Sequence, residues 1–235
     1  MHNGTISTVT SARRDKITNV TTLPLSPDEL LTTTRSVRKR LDLTRPVPLD
    51  LVRQCLEIAL QAPSGSNRQA WHWIVVTDAD QRRAIGEWYR RAVTEYLASE
   101  GSAARLFADD PTRTAVQQRV GSSVAWLGEH MGDVPVLLIP CLRLASGLLP
   151  QGNQADLWGS LLPAVWSYML AARARGLGTA WTTLHLEYEA EVARIIELPD
   201  EVRQGALIPT AYYTGTSFRP AARVPLDKVL HFDRW

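Results

Sequence analysis

Two apolar segments rich in strand-forming residues constrain the fold most strongly: WHWIVVT at residues 71–77 and VPVLLIP at 134–140. Each has the length and composition of a buried strand, and the chain between them shows helical patterns. Strands and helices are mixed without the regular spacing of βαβ units, and no G-x-G-x-x-G motif follows a strand. The pattern therefore predicts one α+β domain and does not support a Rossmann fold.

Helix signals surround these strands. Ser26, Pro27 and Glu29 form a capping-box pattern that predicts a short helix, whereas residues 1–25 have no apolar period and are expected to be a flexible arm before a single domain at 26–235. A second helix is predicted from Pro48 until Pro63 stops it. Further helices are predicted at about 80–98, at 113–131, at 153–175 with a kink at Pro163, and in EYEAEVARIIEL. GALIPTAYYTG is predicted as a strand.

Composition and charge narrow the class of protein. Hydrophobic residues make up 45% of the 235 residues and charged residues 21%, which is typical of a globular domain. A net charge of +2 is too small to indicate nucleic-acid binding by itself. Cys55 and Cys141 lie in apolar runs and are expected to be buried thiols. MHNGTISTVTSARRDK lacks the apolar core of a secretory signal, and no segment has the length of a membrane span, so we expect a cytoplasmic protein that binds neither membrane nor nucleic acid.

Two polar segments early in the chain could bind a ligand. TRSVRKR, at 34–40, places several cations beside the Ser36 hydroxyl, which suits a phosphate; a solvated charged surface is the alternative. APSGSNRQAW, at 62–71, combines a glycine and exposed backbone N–H groups with the Asn67 amide, which suits the edge of a heterocycle such as a pyrimidine; an ordinary turn is the alternative.

Two later segments are less informative by themselves. RGLGTAWTTL, at 175–184, is also what a helix end followed by a strand would use. TSFRPAARVPLDK, at 216–228, adds two arginines between stiffening prolines.

Taken together and in this order, the four segments resemble the FMN-dependent nitroreductase family. RSVR is similar to the family's arginine-serine-x-arginine opening, APSGSNRQAW to its PSG/S-x-N-x-Q-P-W loop, and GLGTAW to its late glycine-rich turn. The resemblance covers about residues 31–232, and 85–132 match only in helical character. Ala70 stands where the family usually has proline, which loosens the loop without removing a contact group.

The resemblance implies a nitroreductase-like α+β fold, with a central, mainly antiparallel sheet surrounded by helices, in an intertwined homodimer. Two FMN molecules would lie at the subunit interface, each contacted by both chains. It implies that Arg35 and Ser36 meet the phosphate and Arg38 the flavin N1 and O2 edge from one subunit, and that Pro63, Ser64, Gly65 and Asn67 meet the ribityl chain and pyrimidine ring from the other. Trp181, Thr182, Thr183 and the N–H of Leu184 would line one flavin face, and Arg223 would be the late phosphate-binding arginine.

The resemblance also implies that 85–132 form a helical lid in which substrate choice resides. Aromatic side chains there would stack on planar acceptors, and arginines would suit the phosphates of a nicotinamide donor. The candidate substrate-binding residues are Trp88, Tyr96, Phe107, Trp126 and Arg219. The deiodinase branch of the superfamily uses a lysine in its lid, and no lysine lies between Lys39 and Lys228, which disfavours that activity.

The implied activity is a two-electron hydride transfer from NADPH or NADH through FMN to a nitroaromatic or quinone acceptor, in a ping-pong cycle. Because FMN N5 would carry the chemistry, no catalytic side chain is expected. The five histidines are scattered, so no metal site is expected, and His72 and His185 are expected to be structural hydrogen-bonding residues. A flavin or enone reductase on the same scaffold and a non-catalytic FMN storage or sensing protein remain alternatives.

Overall fold

A computed structural model describes residues 21–107, 109–145, 147–216 and 218–235. Its helices are α1 (Pro27–Thr33), α2 (Leu49–Ala59), α3 (Ala79–Ala98), α4 (Pro111–His130), α5 (Ala155–Ala174) and α6 (Glu189–Ile195). Its strands are β1 (Trp71–Val76), β2 (Val136–Arg143), β3 (Leu177–Thr179), β4 (Val202–Gln204) and β5 (Ile208–Tyr212).

The strands form one sheet in the order β1-β2-β5-β3, and β4 pairs with the other end of β2. All pairings between these strands are antiparallel. Helices cover both faces, because α2 and α5 pack on one side and α3, α4 and α6 on the other. The predicted α+β fold with a mainly antiparallel central sheet is therefore confirmed.

Strand β2 explains why the sequence shows an unbroken apolar run. Val136, Leu138 and Leu142 pack into the core beside α2 and α5, whereas Leu137 and Ile139 pack into the core beside α3 and α4. A strand with helices on both faces needs apolar side chains at every position rather than at alternate ones.

Pro140 lies inside β2 without weakening the sheet. Pairing with β5 covers 136–138 and pairing with β4 covers 141–143, so Pro140 falls between them. Its carbonyl accepts a hydrogen bond from Gly205 N–H at 2.8 Å, on the β4 side. Since the nitrogen and carbonyl of one strand residue point the same way, the missing N–H also faces this gap.

The start of α1 follows its predicted cap. Ser26 Oγ accepts from Glu29 N–H at 3.2 Å, and Ser26 N–H donates to Glu29 Oε2 at 2.8 Å, which confirms the capping box. Helix α2 ends at Ala59, before the proline expected to stop it, and the chain turns at once. Pro163 lies within α5, and the kink expected there stays a prediction.

The N-terminal arm lies mostly outside the described residues. Residues 21–25 have neither helix nor strand, and Leu23 N–H donates to the carbonyl of Ala174 at 2.7 Å, so the chain contacts the domain three residues before Ser26. Residues 1–20 are not described. Within the described ranges, no helix has the length and apolarity needed to cross a membrane.

The predicted lid divides into two parts. Ile85, Tyr89 and Val93 of α3 and Leu127 of α4 are buried in the core. Gly86 makes this packing possible, because a Cβ atom there would lie 2.6 Å from the backbone nitrogen of Gly132. In contrast, most of the described residues at 99–107 and 113–120 are exposed or half-buried, although Ser102 and Ala103 are buried.

Both cysteines are buried free thiols, as expected. Burial raises the pKa of Cys55 to about 11 and that of Cys141 to about 12, so neither is a reactive thiolate near neutral pH.

His185 departs from its expected role. Its side chain is fully buried, and neither ring nitrogen has a hydrogen-bond partner in the described part of the chain. It is therefore not the structural hydrogen-bonding residue that the sequence suggested. Burial alone lowers the pKa of His185 to about 3, so the imidazole is neutral in the folded protein.

This depressed pKa predicts acid destabilisation. Below pH ~6.5 the unfolded chain protonates this histidine while the folded chain does not, so stability falls by up to about 1.4 kcal/mol per pH unit from that pH down to the folded pKa. We expect His185→Gln to flatten the fall in urea-unfolding free energy between about pH 6.5 and pH 4.5. His72→Gln, at an exposed site on β1, is the matched control and should follow the wild-type curve; equal slopes in all three proteins would contradict the assignment.

Candidate functional site

The segment RSVR is fixed against the edge of the sheet. Ser36 forms a parallel bridge with Thr179 of β3, and Val37 N–H donates to the Thr179 carbonyl at 2.8 Å. Val37 is buried, whereas Ser36 is exposed and Arg35 and Arg38 are partly exposed. The extended backbone thus uses the valine as an anchor and presents the polar side chains outward.

Gly178 allows this close approach. A Cβ atom built on Gly178 would lie 3.0 Å from both Cβ and Cγ1 of Val37. The second glycine of GLGT therefore positions the arginine-serine segment, a role that the sequence pattern alone assigned only to a turn.

The segment borders a cavity of about 580 Å³, which we call the main cavity. Arginines and hydroxyl groups share its wall with apolar and aromatic side chains, and no acidic residue of the described chain lines it. Its lining consists of Thr34, Arg35, Ser36, Arg38, Val116, Arg119, Val120, Ser123, Trp166, Met169, Trp181 and Arg223.

Arg38 is the most constrained of these cations. Its Nη1 donates to Ser123 Oγ at 3.4 Å, and no carboxylate of the described residues pairs with it. Burial lowers the pKa of Arg38, against the opposing influence of Tyr89 and Tyr96, yet a guanidinium remains charged at neutral pH. A partly desolvated cation without a counter-ion favours an anionic ligand.

The C-terminal segment with Arg219 and Arg223 lies beside RSVR. Arg35 Nη1 donates to the carbonyl of Arg219 at 3.2 Å, which ties the C-terminal segment to RSVR. Arg223 lines the main cavity. Two segments that are almost 190 residues apart in sequence therefore supply one cationic wall.

The segment 181–184 is only partly at the cavity. Trp181 lines it, but Thr182 is buried, its hydroxyl lies 3.1 Å from the Tyr89 hydroxyl, and its N–H donates to Leu207 at 3.2 Å. Thr183 precedes a short 3-10 helix that begins at Leu184, and neither of these two residues lines the cavity.

The loop APSGSNRQAW is held against helix α5. Gly65 N–H donates to Ser160 Oγ of α5 at 3.0 Å, and Gln69 N–H donates to Ser64 Oγ at 2.9 Å. Ser66 and Asn67 have φ values of 51° and 52°, an uncommon conformation for residues other than glycine and one that often occurs at functional sites.

Within one chain this loop does not line the main cavity. Neither Pro63 nor any of Ser64, Gly65 and Asn67 is among its lining residues. The loop contacts the first half of α5, through Ser160, whereas the cavity adjoins the second half, through Trp166 and Met169. A single chain therefore does not bring the two predicted halves of the site together.

None of the four predicted lid aromatics is among the lining residues of the main cavity. Trp88 packs on Tyr188 with ring centroids 5.0 Å apart, and Trp126 on His130 at 4.5 Å. The Tyr96 hydroxyl accepts a hydrogen bond from Ala103 N–H at 2.7 Å. The Arg113 guanidinium carbon lies 3.2 Å from the centroid of the Phe107 ring. In the single chain each is engaged by its neighbours, and their role in substrate binding stays a prediction.

Helix α4 contributes residues that sequence reasoning missed. Val116, Arg119, Val120 and Ser123 all line the main cavity. Their spacing of i, i+3, i+4 and i+7 defines one helix face. This face combines apolar and polar residues, and that combination was the sequence signal by which the cavity wall could have been found. Trp166 of α5, which is exposed and lines the same cavity, was missed as well.

Comparison with known proteins decides the family. The model of the nitroreductase family matches residues 31–212. The chain belongs to the nitroreductase family. The resemblance carried by RSVR, APSGSNRQAW and GLGTAW is thereby confirmed. A curated relative, nitrobenzene nitroreductase from Ectopseudomonas oleovorans, is 30% identical over 202 residues, which cover 76% of this chain and 84% of the relative.

Solved structures support the nitroreductase fold. An FMN and NADPH-dependent nitroreductase, NfnB from sphigopyxis sp. strain HMH, superposes with a TM-score of 0.65 at 22% identity and covers 90% of this chain and 100% of its own. An oxidised iodotyrosine deiodinase bound to FMN and 3-iodo-L-tyrosine gives 0.65 at 22% identity, covering 88% and 98%. At these identities the likeness concerns the fold alone.

The close contact of Gly178 with Val37 gives a testable coupling. Gly178→Ala should destabilise the folded chain by about 1–3 kcal/mol because the added methyl overpacks against the valine. The double variant Gly178→Ala/Val37→Ala should lose less than the sum of the two single variants, by at least about 0.5 kcal/mol, since truncating the valine makes room. Urea unfolding of all four proteins measures this coupling energy; strict additivity would show that the contact does not position the segment.

Proposed function

We propose that this chain is an FMN-dependent oxidoreductase that uses NADPH or NADH to reduce nitroaromatic or quinone acceptors. The observation on which the proposal depends is the main cavity, where four arginines lie beside an aromatic wall and no acidic side chain of the described residues compensates them. Such a cavity suits a ligand that combines a phosphate with a flat ring system.

The donor set fits FMN. Arg35, Arg223 and the Ser36 hydroxyl would hold the phosphate, because forked guanidinium donors and a short hydroxyl match its oxygens. Arg38 would face the electron-rich edge of the ring, as the family resemblance implies. When bound, FMN supplies two-electron hydride chemistry at its N5 atom.

The protein side chains would then act by binding and by electrostatics. Arg38, partly desolvated and without a carboxylate partner in the described chain, would stabilise negative charge on the reduced ring. Trp166 and Trp181 give planar donors and acceptors a surface to stack on. Donor and acceptor would occupy the same cavity in turn, which corresponds to ping-pong kinetics.

A second copy of the chain would complete the site. The loop with Ser64, Gly65 and Asn67 contacts α5 at Ser160 and does not line the main cavity of its own chain, so a partner subunit would supply it. The C-terminal segment supports this arrangement, since large apolar side chains there are exposed: Val224, Leu226, Val229, Leu230, Phe232 and Trp235. Such a patch favours coverage by another protein surface, here a homodimer partner.

The function is tested first by absorption spectroscopy of the purified protein and anaerobic titration with NADPH and with NADH. A flavin spectrum that bleaches on addition of a nicotinamide, and returns when a nitroaromatic or quinone is added, is the expected result. A protein that is colourless and binds no added FMN would overturn the proposal. A flavin spectrum that neither nicotinamide bleaches would instead favour a storage or sensing protein.

Arg38 should set the reduction potential of the bound flavin. Removing its charge in Arg38→Ala should lower the midpoint potential on the order of 30 mV, equivalent to about 1.4 kcal/mol for a two-electron couple, because the reduced ring loses its counter-charge. Arg38→Lys, the matched control, keeps the charge and should recover much of the difference. Anaerobic reduction in the presence of reference dyes measures the potential, and equal values in Arg38→Ala and wild type would remove this role.

A further inference from the structure

A second cavity, of about 320 Å³, opens beside the main cavity, and we call it the side cavity. The two share Arg35, Ser36, Arg38 and Ser123, so they are separated only by that common wall. Lys39, Arg40 and Arg219 line the side cavity but not the main one, and Val37 and Phe218 complete it. Five of its lining residues are cations, and none of the described residues that line it is acidic.

Several arginines elsewhere in the described chain pair with acids. Arg143 bonds Glu201 at 3.0 Å and Arg194 bonds Glu191 at 3.0 Å, and Arg83 forms an ion pair with Asp80. Two cations of the side cavity, Lys39 and Arg35, are held by neutral groups. Lys39 Nζ donates to Ser122 Oγ at 2.6 Å, and Arg35 donates to a backbone carbonyl. These neutral acceptors orient the side chains without cancelling their charge.

Arg40 and the Phe218 ring form one wall of the side cavity. Arg40 Nε donates to the Thr214 carbonyl at 2.7 Å, and its guanidinium lies 4.4 Å from the Phe218 ring centroid. A further guanidinium, that of Arg173, lies 4.2 Å from the same centroid. Two cations on one ring concentrate positive potential beside the opening, which raises the local affinity for an anion.

We propose that the side cavity is a subsite for an oxyanion, a carboxylate or phosphate, carried by the molecule that reacts in the main cavity. The inference rests on the proposed function, since it places the reacting part of that molecule in the main cavity. A volume of about 320 Å³ accommodates an anionic head group but not a whole dinucleotide. The shared wall lets the head group occupy the side cavity while the rest of the ligand extends into the main one.

Two sources of such an oxyanion are compatible with the geometry. The acceptor would supply it if the substrate is an acidic aromatic compound, and the nicotinamide donor would supply it through its adenosine 2′-phosphate. Lys39 and Arg219 are the residues to test, because both line the side cavity alone and their side chains are exposed.

Calorimetric titration of the purified full-length protein separates these sources. The acceptor probes are 4-nitrobenzoate and its neutral analogue 4-nitrobenzamide, and the donor probes are adenosine 2′-phosphate and adenosine. The variant is Lys39→Gln/Arg219→Gln. The matched control is Arg83→Gln/Arg90→Gln, which removes two cations from the exposed face of α3 and changes the net charge equally.

The test variant should bind at least one anionic probe about tenfold more weakly than wild type, because it loses two charge-assisted contacts, while the neutral analogues change little. A loss confined to 4-nitrobenzoate assigns the subsite to the acceptor, and a loss confined to adenosine 2′-phosphate assigns it to the donor. The control variant should bind every probe as wild type does.

Unchanged affinity for both anions, or equal losses for anionic and neutral probes, would overturn the subsite. If the double variant does not fold, Lys39→Gln alone gives the same comparison. The binding result does not depend on turnover, so a failure of nicotinamide to bleach the flavin would count against the proposed function and leave the subsite to be judged by binding.

Discussion

The rest of the structure depends on the burial of β2 from both sides. Leu138 and Leu142 pack against α5 and α2, while Leu137 and Ile139 pack against α3 and α4. Because β1, β4 and β5 all pair with this strand, it fixes the position of each layer. The edge strand β3 then pairs with β5, and RSVR attaches to β3, so the arginine wall is positioned through a chain of contacts that begins in the core.

The site itself is defined by charge that is left uncompensated. The whole sequence is nearly balanced, with 26 basic and 24 acidic residues, and its net charge gave no indication of an anionic ligand. In the folded chain, acids pair with arginines on the helix surfaces, whereas the main and side cavities bring basic residues together without an acid among their described lining residues. Local charge asymmetry, rather than net charge, is what suits a phosphate-bearing cofactor.

Much of the fold was readable in the sequence because it follows local periodicity and local capping. The helices α2, α3, α4 and α5 and the strands β1 and β2 appear close to the predicted bounds. The end of α2 came earlier than Pro63 suggested, since the turn after Ala59 forms before the proline is reached. His185 was misjudged because spacing along the chain does not show whether a buried ring finds a partner.

The sequence by itself determined the fold class, because glycine, proline and hydrophobic periodicity act over a few residues. The order of the segments RSVR, APSGSNRQAW and GLGTAW carried the resemblance to the family. Only the tertiary structure decided which segments meet. It joined Arg35 to the C-terminal Arg219, placed Arg119 and Ser123 of α4 in the cavity wall, and separated the loop around Asn67 from that wall within one chain. These outcomes depend on how distant elements pack across the sheet, and no local pattern encodes such long-range contacts.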